Sequence, residues 1–243
     1  MIVSGMISVK AAIENKRRDV ERVWLVSGKD SKDTSYLKKL CREKKLELLR
    51  LSPEEMKERF GNGTGGVAAE VSRRRSDPFT DLLKQDVLFM IDGVEDPYNF
   101  GYCLRTLCAF GYKGILTGTR DYKDSEATVL RSSAGAYEKV SLYAGEDLDT
   151  KLRSLKEKGY RLYALQRSDL SGDLFKETFE GKVCLILGGE KRGIRSEILK
   201  LCDKEIFIPY GSDFRNALNL VSAVAVVSGA VYQRRNYAHF VKQ

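Results

Sequence analysis

The run Val87-Leu-Phe-Met-Ile91 constrains this chain more than any other stretch. Five consecutive apolar residues without alternation fit a strand buried on both faces, the condition of parallel strands covered by helices on either side. The pattern recurs. Gly114-Ile-Leu-Thr117, Val140-Ser-Leu-Tyr143, Arg161-Leu-Tyr-Ala-Leu165, Val183-Cys-Leu-Ile-Leu187 and Glu205-Ile-Phe-Ile208 read as further strands. Between them lie helix candidates: Asn99 to Phe110, Ser125 to Ala136, and Leu148 to Lys158, which Gly159 stops. A long helix is expected from about Asn216 to Arg234. Strands alternating with helices predict an α/β fold, a mainly parallel sheet with helices on both faces.

The first 71 residues read as a separate, smaller α/β module. Val23-Trp-Leu-Val26 and Leu46 to Leu51 are strand candidates, and Ser35 to Lys45 carries Leu37, Leu40 and Cys41 at helical spacing. Ser52 followed by Pro53 marks a helix start, with serine as cap and proline at the first helical position. The loop Gly61-Asn-Gly-Thr-Gly-Gly66 is glycine-rich but lacks the Gly-Lys-Ser/Thr of a P-loop. Ser72-Arg-Arg-Arg-Ser-Asp-Pro-Phe79 reads as the connection, because Pro78 disfavours helix before it and the arginines favour solvent or phosphate. The expected division is therefore a module over 1–75, a linker over 76–84 and a second domain over 85–243.

Charge separates the two parts. Residues 1–84 hold 19 Lys+Arg and 13 Asp+Glu, net +6, while residues 85–243 hold 23 and 21, net +2, together the +8 of the chain. A basic module joined to a near-neutral domain suits a polyanion-binding part attached to a catalytic part. The five cysteines are scattered without a C-x-x-C pair and the single histidine is His239, so no structural zinc is expected and a reducing compartment is. No signal peptide opens the chain, and the apolar stretch Ala217 to Tyr232 is too short and too polar to span a membrane, which points to the cytoplasm.

One histidine in the C-terminal tail removes Ser-His-Asp and Cys-His chemistry. No G-x-G-x-x-G follows the first strand of the second domain. What remains is three loops at strand ends, where open α/β sheets bind ligands. The first is Asp92-Gly-Val-Glu-Asp-Pro-Tyr-Asn-Phe-Gly-Tyr-Cys-Leu-Arg105, in which Asn99 is placed to cap the following helix and Arg105 falls six residues on. The second is Leu187-Gly-Gly-Glu-Lys-Arg-Gly193, where Gly188 and Gly189 allow close backbone approach and Glu190 projects from the strand end. The third is Ile208-Pro-Tyr-Gly211, followed by Ala217-Leu-Asn-Leu220, in which a polar Asn219 inside an apolar stretch needs a partner.

In this order the three segments resemble the motifs of the SpoU/TrmH family of RNA ribose methyltransferases, within the SPOUT superfamily. Val94 to Gly101 with Arg105-Thr106 and Ala109-Phe-Gly111 is similar to the first motif, and Ser132-Ser-Ala-Gly-Ala136 to the stretch between the first and second. Gly5-Met-Ile-Ser-Val-Lys-Ala-Ala12 and Gly65-Gly-Val-Ala-Ala69 resemble a ribosomal-protein-like substrate-binding domain. The likeness extends over nearly the whole chain. It implies a C-terminal trefoil knot cupping S-adenosylmethionine, a homodimer formed through the catalytic domain, and an RNA substrate, ribosomal rather than transfer RNA. It implies Arg105, Asn99, Glu190 and Asn219 as catalytic residues. Cofactor contacts are implied from Leu187, Gly188, Gly189, Ile208, Leu218 and Asn219, with Ser133 nearby. Two departures are visible: Gly189 stands where the family usually has Asn, and Ala217 where it usually has Ser. They keep open an alternative, a non-catalytic RNA-binding or ribosome-assembly protein with the same fold.

Overall fold

The computed structural model describes residues 1–119, 125–189 and 191–240. In chain order the elements are β1 (Ile2–Ser4), α1 (Met6–Asn15), β2 (Val20–Val26), α2 (Lys32–Glu43), β3 (Glu47–Leu51), α3 (Pro53–Phe60) and β4 (Val67–Val71). There follow α4 (Phe79–Leu82), β5 (Val87–Asp92), α5 (Pro97–Ala109), β6 (Gly114–Thr117), α6 (Glu126–Ser132), α7 (Ala136–Lys139), β7 (Ser141–Ala144) and α8 (Leu148–Glu157). The last are β8 (Tyr160–Leu165), β9 (Gly172–Asp173), β10 (Lys182–Gly188), α9 (Ser196–Leu199), β11 (Lys204–Phe207) and α10 (Leu220–Phe240). No described helix is long and apolar enough to cross a membrane.

Contacts divide the chain into two compact units, Met1–Arg75 with Tyr122–Lys139, and Ser76–Asp121 with Val140–Gln243. The first unit is built on a four-stranded sheet of order β1-β4-β2-β3, in which only the β2–β3 pairing is parallel. Its elements begin where local chemistry starts them. Ser31 and Ser52 both form capping boxes, the serine oxygen accepting from the amide three residues on while that residue's side chain accepts from the serine amide. Trp24, 1% exposed, packs against Phe60 with ring centroids 4.9 Å apart.

A buried ionic cluster ties α6 and α7 into this first unit. Arg18, 3% exposed, donates from Nε to Glu138 Oε1 at 2.8 Å, and its Nη2 lies 2.6 Å from Glu126 Oε1 and 2.7 Å from Glu138 Oε1. The amide of Arg74 donates to Glu126 and its Nε to the Tyr137 carbonyl. The arginines read from sequence as a free connection are thus partly committed inside the unit. One helix expected over Ser125 to Ala136 is two, because Ala134 and Gly135 turn at φ +48° and +80°.

The second unit carries a seven-stranded sheet, order β7-β6-β5-β10-β8-β11-β9, with every pairing parallel. β5 and β10 lie near its middle and are buried along nearly their whole length, as their unbroken apolar runs require. Alternate side chains serve opposite faces. Leu88 and Met90 join Leu116, Leu162, Ile186 and the α8 residues Leu152 and Leu155 in one cluster. Phe89 turns the other way onto Tyr112, with centroids 5.1 Å apart. α5 and α10 pack against one another, and α10 also meets β10.

Candidate functional site

The C-terminal ends of the parallel strands carry the site. β10 runs into Gly188 and Gly189, whose amide donates to the Asp92 carbonyl at 2.6 Å. Gly189 and Gly193 form an isolated antiparallel bridge, the Gly193 amide donating to the Gly189 carbonyl at 3.0 Å. A Cβ on Gly188 would overlap the Gly193 backbone, and one on Gly189 would overlap the carbonyl oxygen of Gly93. Only glycine fits either place as the backbone stands. Asp92, 4% exposed at the end of β5, accepts from the Arg195 amide at 3.2 Å and from its Nε at 3.0 Å. That hydrogen bond, more than the accompanying charge, raises the Arg195 guanidinium above its ordinary value.

Beside this loop opens a cavity of about 760 Å³. Leu187, Gly188, Gly189, Ile208, Leu218 and Asn219 all line it. Segments ten to about thirty residues apart in sequence, read separately as loops at strand ends, therefore meet in one place. The wall is mostly backbone and apolar side chain, with Ile194, Phe207 and Leu220 among the latter. The Asn219 side chain has its partner: Oδ1 accepts from the Ser222 amide at 2.8 Å and caps α10. The last helix accordingly starts at Leu220 rather than at Asn216.

Other expected residues fall elsewhere. Asn99 is not the cap of α5. That role belongs to Asp96, whose carboxylate accepts from the Tyr98 amide at 2.8 Å, with Pro97 at the first helical position. Asn99 and Arg105 are the third and ninth residues of α5 and neither lines the cavity. At six residues' separation they stand about 120° apart around the helix. Arg105 is exposed. Ser133 is fully buried in the first unit, where its hydroxyl donates to the Leu130 carbonyl and accepts from the Tyr137 amide. Both bonds brace the turn between α6 and α7, and Ser133 does not line the cavity. Glu190 lies outside the described residues.

Sequence reasoning passed over Tyr210 and the end of β8. Tyr210 Oη accepts from the Leu218 amide at 3.1 Å, and its ring lies under the Arg167 guanidinium, 5.4 Å from centroid to Cζ. Both residues line the cavity with Gln166. An arginine two residues beyond an apolar strand was the available signal. Asp92 was also passed over as an anchor, although a carboxylate closing a buried strand requires a partner.

Two family profiles match the chain: SpoU rRNA Methylase family over residues 86–229, and RNA 2'-O ribose methyltransferase substrate binding over residues 2–76. Among curated relatives, the 23S rRNA (guanosine-2'-O-)-methyltransferase RlmB of Xanthomonas campestris pv. campestris is 27% identical over 245 residues, covering 96% of either chain. The protein of the same name from Xylella fastidiosa (strain 9a5c) is 29% identical over 241 residues, again covering 96% of each. Among solved structures, the SpoU methyltransferase AviRb from Streptomyces viridochromogenes in complex with AdoMet superposes with TM-score 0.79 at 19% identity, over 98% of this chain and 91% of that one. An AdoMet-bound rRNA methyltransferase from Sinorhizobium meliloti gives TM-score 0.76 at 18% identity, covering 96% and 87%. At such identities the structural likeness establishes the fold.

Proposed function

This chain belongs to the SpoU rRNA methylase family, and from that premise we propose how its residues divide the work and which RNA they serve. It is an S-adenosylmethionine-dependent RNA 2'-O-ribose methyltransferase. We take its substrate to be a guanosine of 23S ribosomal RNA, the activity in the names of its full-length relatives.

The observation that carries this reading is the convergence of Leu187, Gly188, Gly189, Ile208, Leu218 and Asn219 on one cavity. Its volume lies within the range of small-molecule sites, and its mixture of apolar wall and accessible backbone suits an adenosine with a short polar tail. The glycines at 188 and 189 keep the wall thin. The cofactor supplies an activated methyl group on a sulfonium. The protein must hold a ribose 2'-hydroxyl in line with that group, because an aligned pair replaces a bimolecular encounter. It must also stabilise the oxygen as its proton passes to solvent water.

Arg105 is our candidate for the second task. Its guanidinium stays protonated in proteins, so it acts as a cation that holds phosphate and favours the developing alkoxide, and not as a base. Asn99 and Glu190 orient the acceptor, and Asn219 steadies the third loop by capping α10. Arg105 does not line the cavity of its own chain, which supports a homodimer in which it serves the partner's cavity. The surfaces of α5 and α10 support the same arrangement: Tyr98 and Tyr102 are 53% and 42% exposed, and α10 is apolar around much of its circumference. β10 enters the sheet between β5 and β8, β11 pairs beyond β8, and α10 then returns to α5. We read that return as the trefoil knot. Residues 2–76 match a substrate-binding profile, and we assign them the RNA, through phosphate contacts whose strength falls with salt. A ribosomal RNA substrate puts the enzyme in the cytoplasm.

The test is calorimetric titration with S-adenosylmethionine, followed by transfer of labelled methyl to 23S rRNA transcribed without modifications. Micromolar cofactor binding and label confined to one ribose are expected. A folded protein that binds no cofactor would return the choice to the non-catalytic RNA-binding alternative.

A further inference from the structure

A second cavity, of about 330 Å³, opens at the C-terminal ends of β5, β6, β7 and β10. It shares Gly189 and Gly193 with the first, so the bridged loop described above is a wall common to both. Five glycines line it, among them Gly93, Gly118 and Gly145 at the ends of three successive strands. The remaining lining is almost entirely polar. Lys191, Arg192 and Arg195 stand on one side, and Thr119 and Glu146 come from the loops after β6 and β7.

The three cations differ in their commitments. Arg195 spends Nε on Asp92, and its side chain remains 48% exposed. Lys191 pairs with Glu95 at 2.5 Å. Arg192 is exposed and has no ion-pair partner among the described residues. Opposite them, Glu146 Oε1 accepts from Thr119 Oγ1 at 3.2 Å, which leaves the exposed carboxylate free to accept further donors. The loops of this cavity lead into the N-termini of α5 and α8, of 13 and 10 residues, whose dipoles favour negative charge at this edge of the sheet.

We propose that this cavity is a second RNA subsite, holding the nucleotide that adjoins the methylated one. The inference rests on the methyltransferase reading: an RNA strand that presents a ribose over the Gly189–Gly193 wall to the cofactor cavity carries its neighbour to the other side of that wall. The guanidinium groups of Arg192 and Arg195 take the intervening phosphate. The Glu146 carboxylate accepts from the amino or imino donors of the base. The cavity's size admits one nucleotide and not a base pair, so the strand must be unpaired there, the usual form of sequence-specific RNA recognition.

Two variants of the full chain test this, with 23S rRNA transcribed in vitro as the probe. Arg192→Gln removes a phosphate contact. Gly118→Glu puts bulk and negative charge into the cavity at a position where an added Cβ has no neighbour within 4 Å and no left-handed backbone to strain. Both variants should raise KM for RNA, about tenfold, with kcat and the cofactor dissociation constant unchanged. Arg192→Gln should also lower the slope of log affinity against log salt by about one. Unchanged KM in both variants, beside a wild type that binds cofactor and methylates, would overturn the subsite alone. A fall in kcat at constant KM would overturn it too, by placing the cavity in the chemistry. A wild type that binds no S-adenosylmethionine would overturn the parent reading and this one with it.

Discussion

Asp92 and Arg195 hold the ends of two different strand-end loops together: a nearly buried carboxylate closing β5 takes both the backbone amide and the guanidinium of the residue that precedes α9. The Gly189 amide also donates to the Asp92 carbonyl, so both sides of the glycine bridge are anchored at the end of β5. Arg195→Ala should therefore act on the loop as well as on the ion pair. It leaves a buried carboxylate with fewer donors, a cost of about 1–3 kcal/mol. Denaturant unfolding should report that loss, and calorimetry should report weaker cofactor binding. A variant with lower stability and unaltered cofactor affinity would show that the junction does not shape the cavity.

Gly189 is where the chain departs from its family's usual asparagine, and here it sits directly against the Gly93 carbonyl. Gly189→Asn, although it restores the common residue, should destabilise by about 1–3 kcal/mol, because its Cβ must displace a backbone carbonyl. Thermal melts with and without S-adenosylmethionine give both stability and affinity. Equal melting and equal ligand shift would mean that the Gly93 loop moves aside at no cost.

Much of this could be read from sequence, for definable reasons. The central strands were legible because burial on both faces leaves an unbroken apolar run, as in Val87 to Ile91. Ser52-Pro53 and Gly159 marked helix ends because capping is local chemistry. What resisted was set by partners distant in sequence. Asn99 looked like a cap, yet Asp96 precedes a proline and takes the position first. The hydroxyl of Ser133 closes a turn between α6 and α7, which its sequence neighbourhood does not announce. The strand order placing β10 beside β5 depends on chain return and has no local signature.

Arg105→Ala should lower turnover about 10²-fold or more, the scale for loss of one group that stabilises developing charge, with cofactor affinity retained. Mixing it with Ala217→Trp, which should fill the cofactor cavity and be inactive by itself, gives a sharper result. If Arg105 serves the partner's cavity, a mixed dimer has one site with both an intact cavity and an intact arginine, and activity should reappear when the two inactive proteins are combined. No recovery after subunit exchange would confine Arg105 to its own chain.

Burial raises the Glu138 carboxyl above the ordinary glutamate value of 4.5, outweighing Arg18, which pulls it down. The folded protein then holds that proton more firmly than the unfolded chain does. Stability from this site is full below pH 4.5 and is lost as pH rises through the raised value. Glu138→Gln, which cannot titrate, should flatten that portion of the curve of stability against pH. Parallel curves for the two proteins would show that Glu138 does not carry the dependence.

The cluster of Arg18 with Glu126 and Glu138 also bears on how such a protein can be taken apart. The first unit is written in two places along the chain, and its second instalment sits inside the sequence of the methyltransferase half. A single cut after Arg75 divides that unit. It strips two buried carboxylates of their arginine and leaves α6 and α7 without the fold they complete. Exchange of the N-terminal part for another RNA-binding element, in the laboratory or over evolutionary time, thus requires coordinated change near residues 126–139. Sequence suggests one linker over 76–84; the contacts add a distant segment ending at Lys139 to the unit that precedes it, and the two must change together.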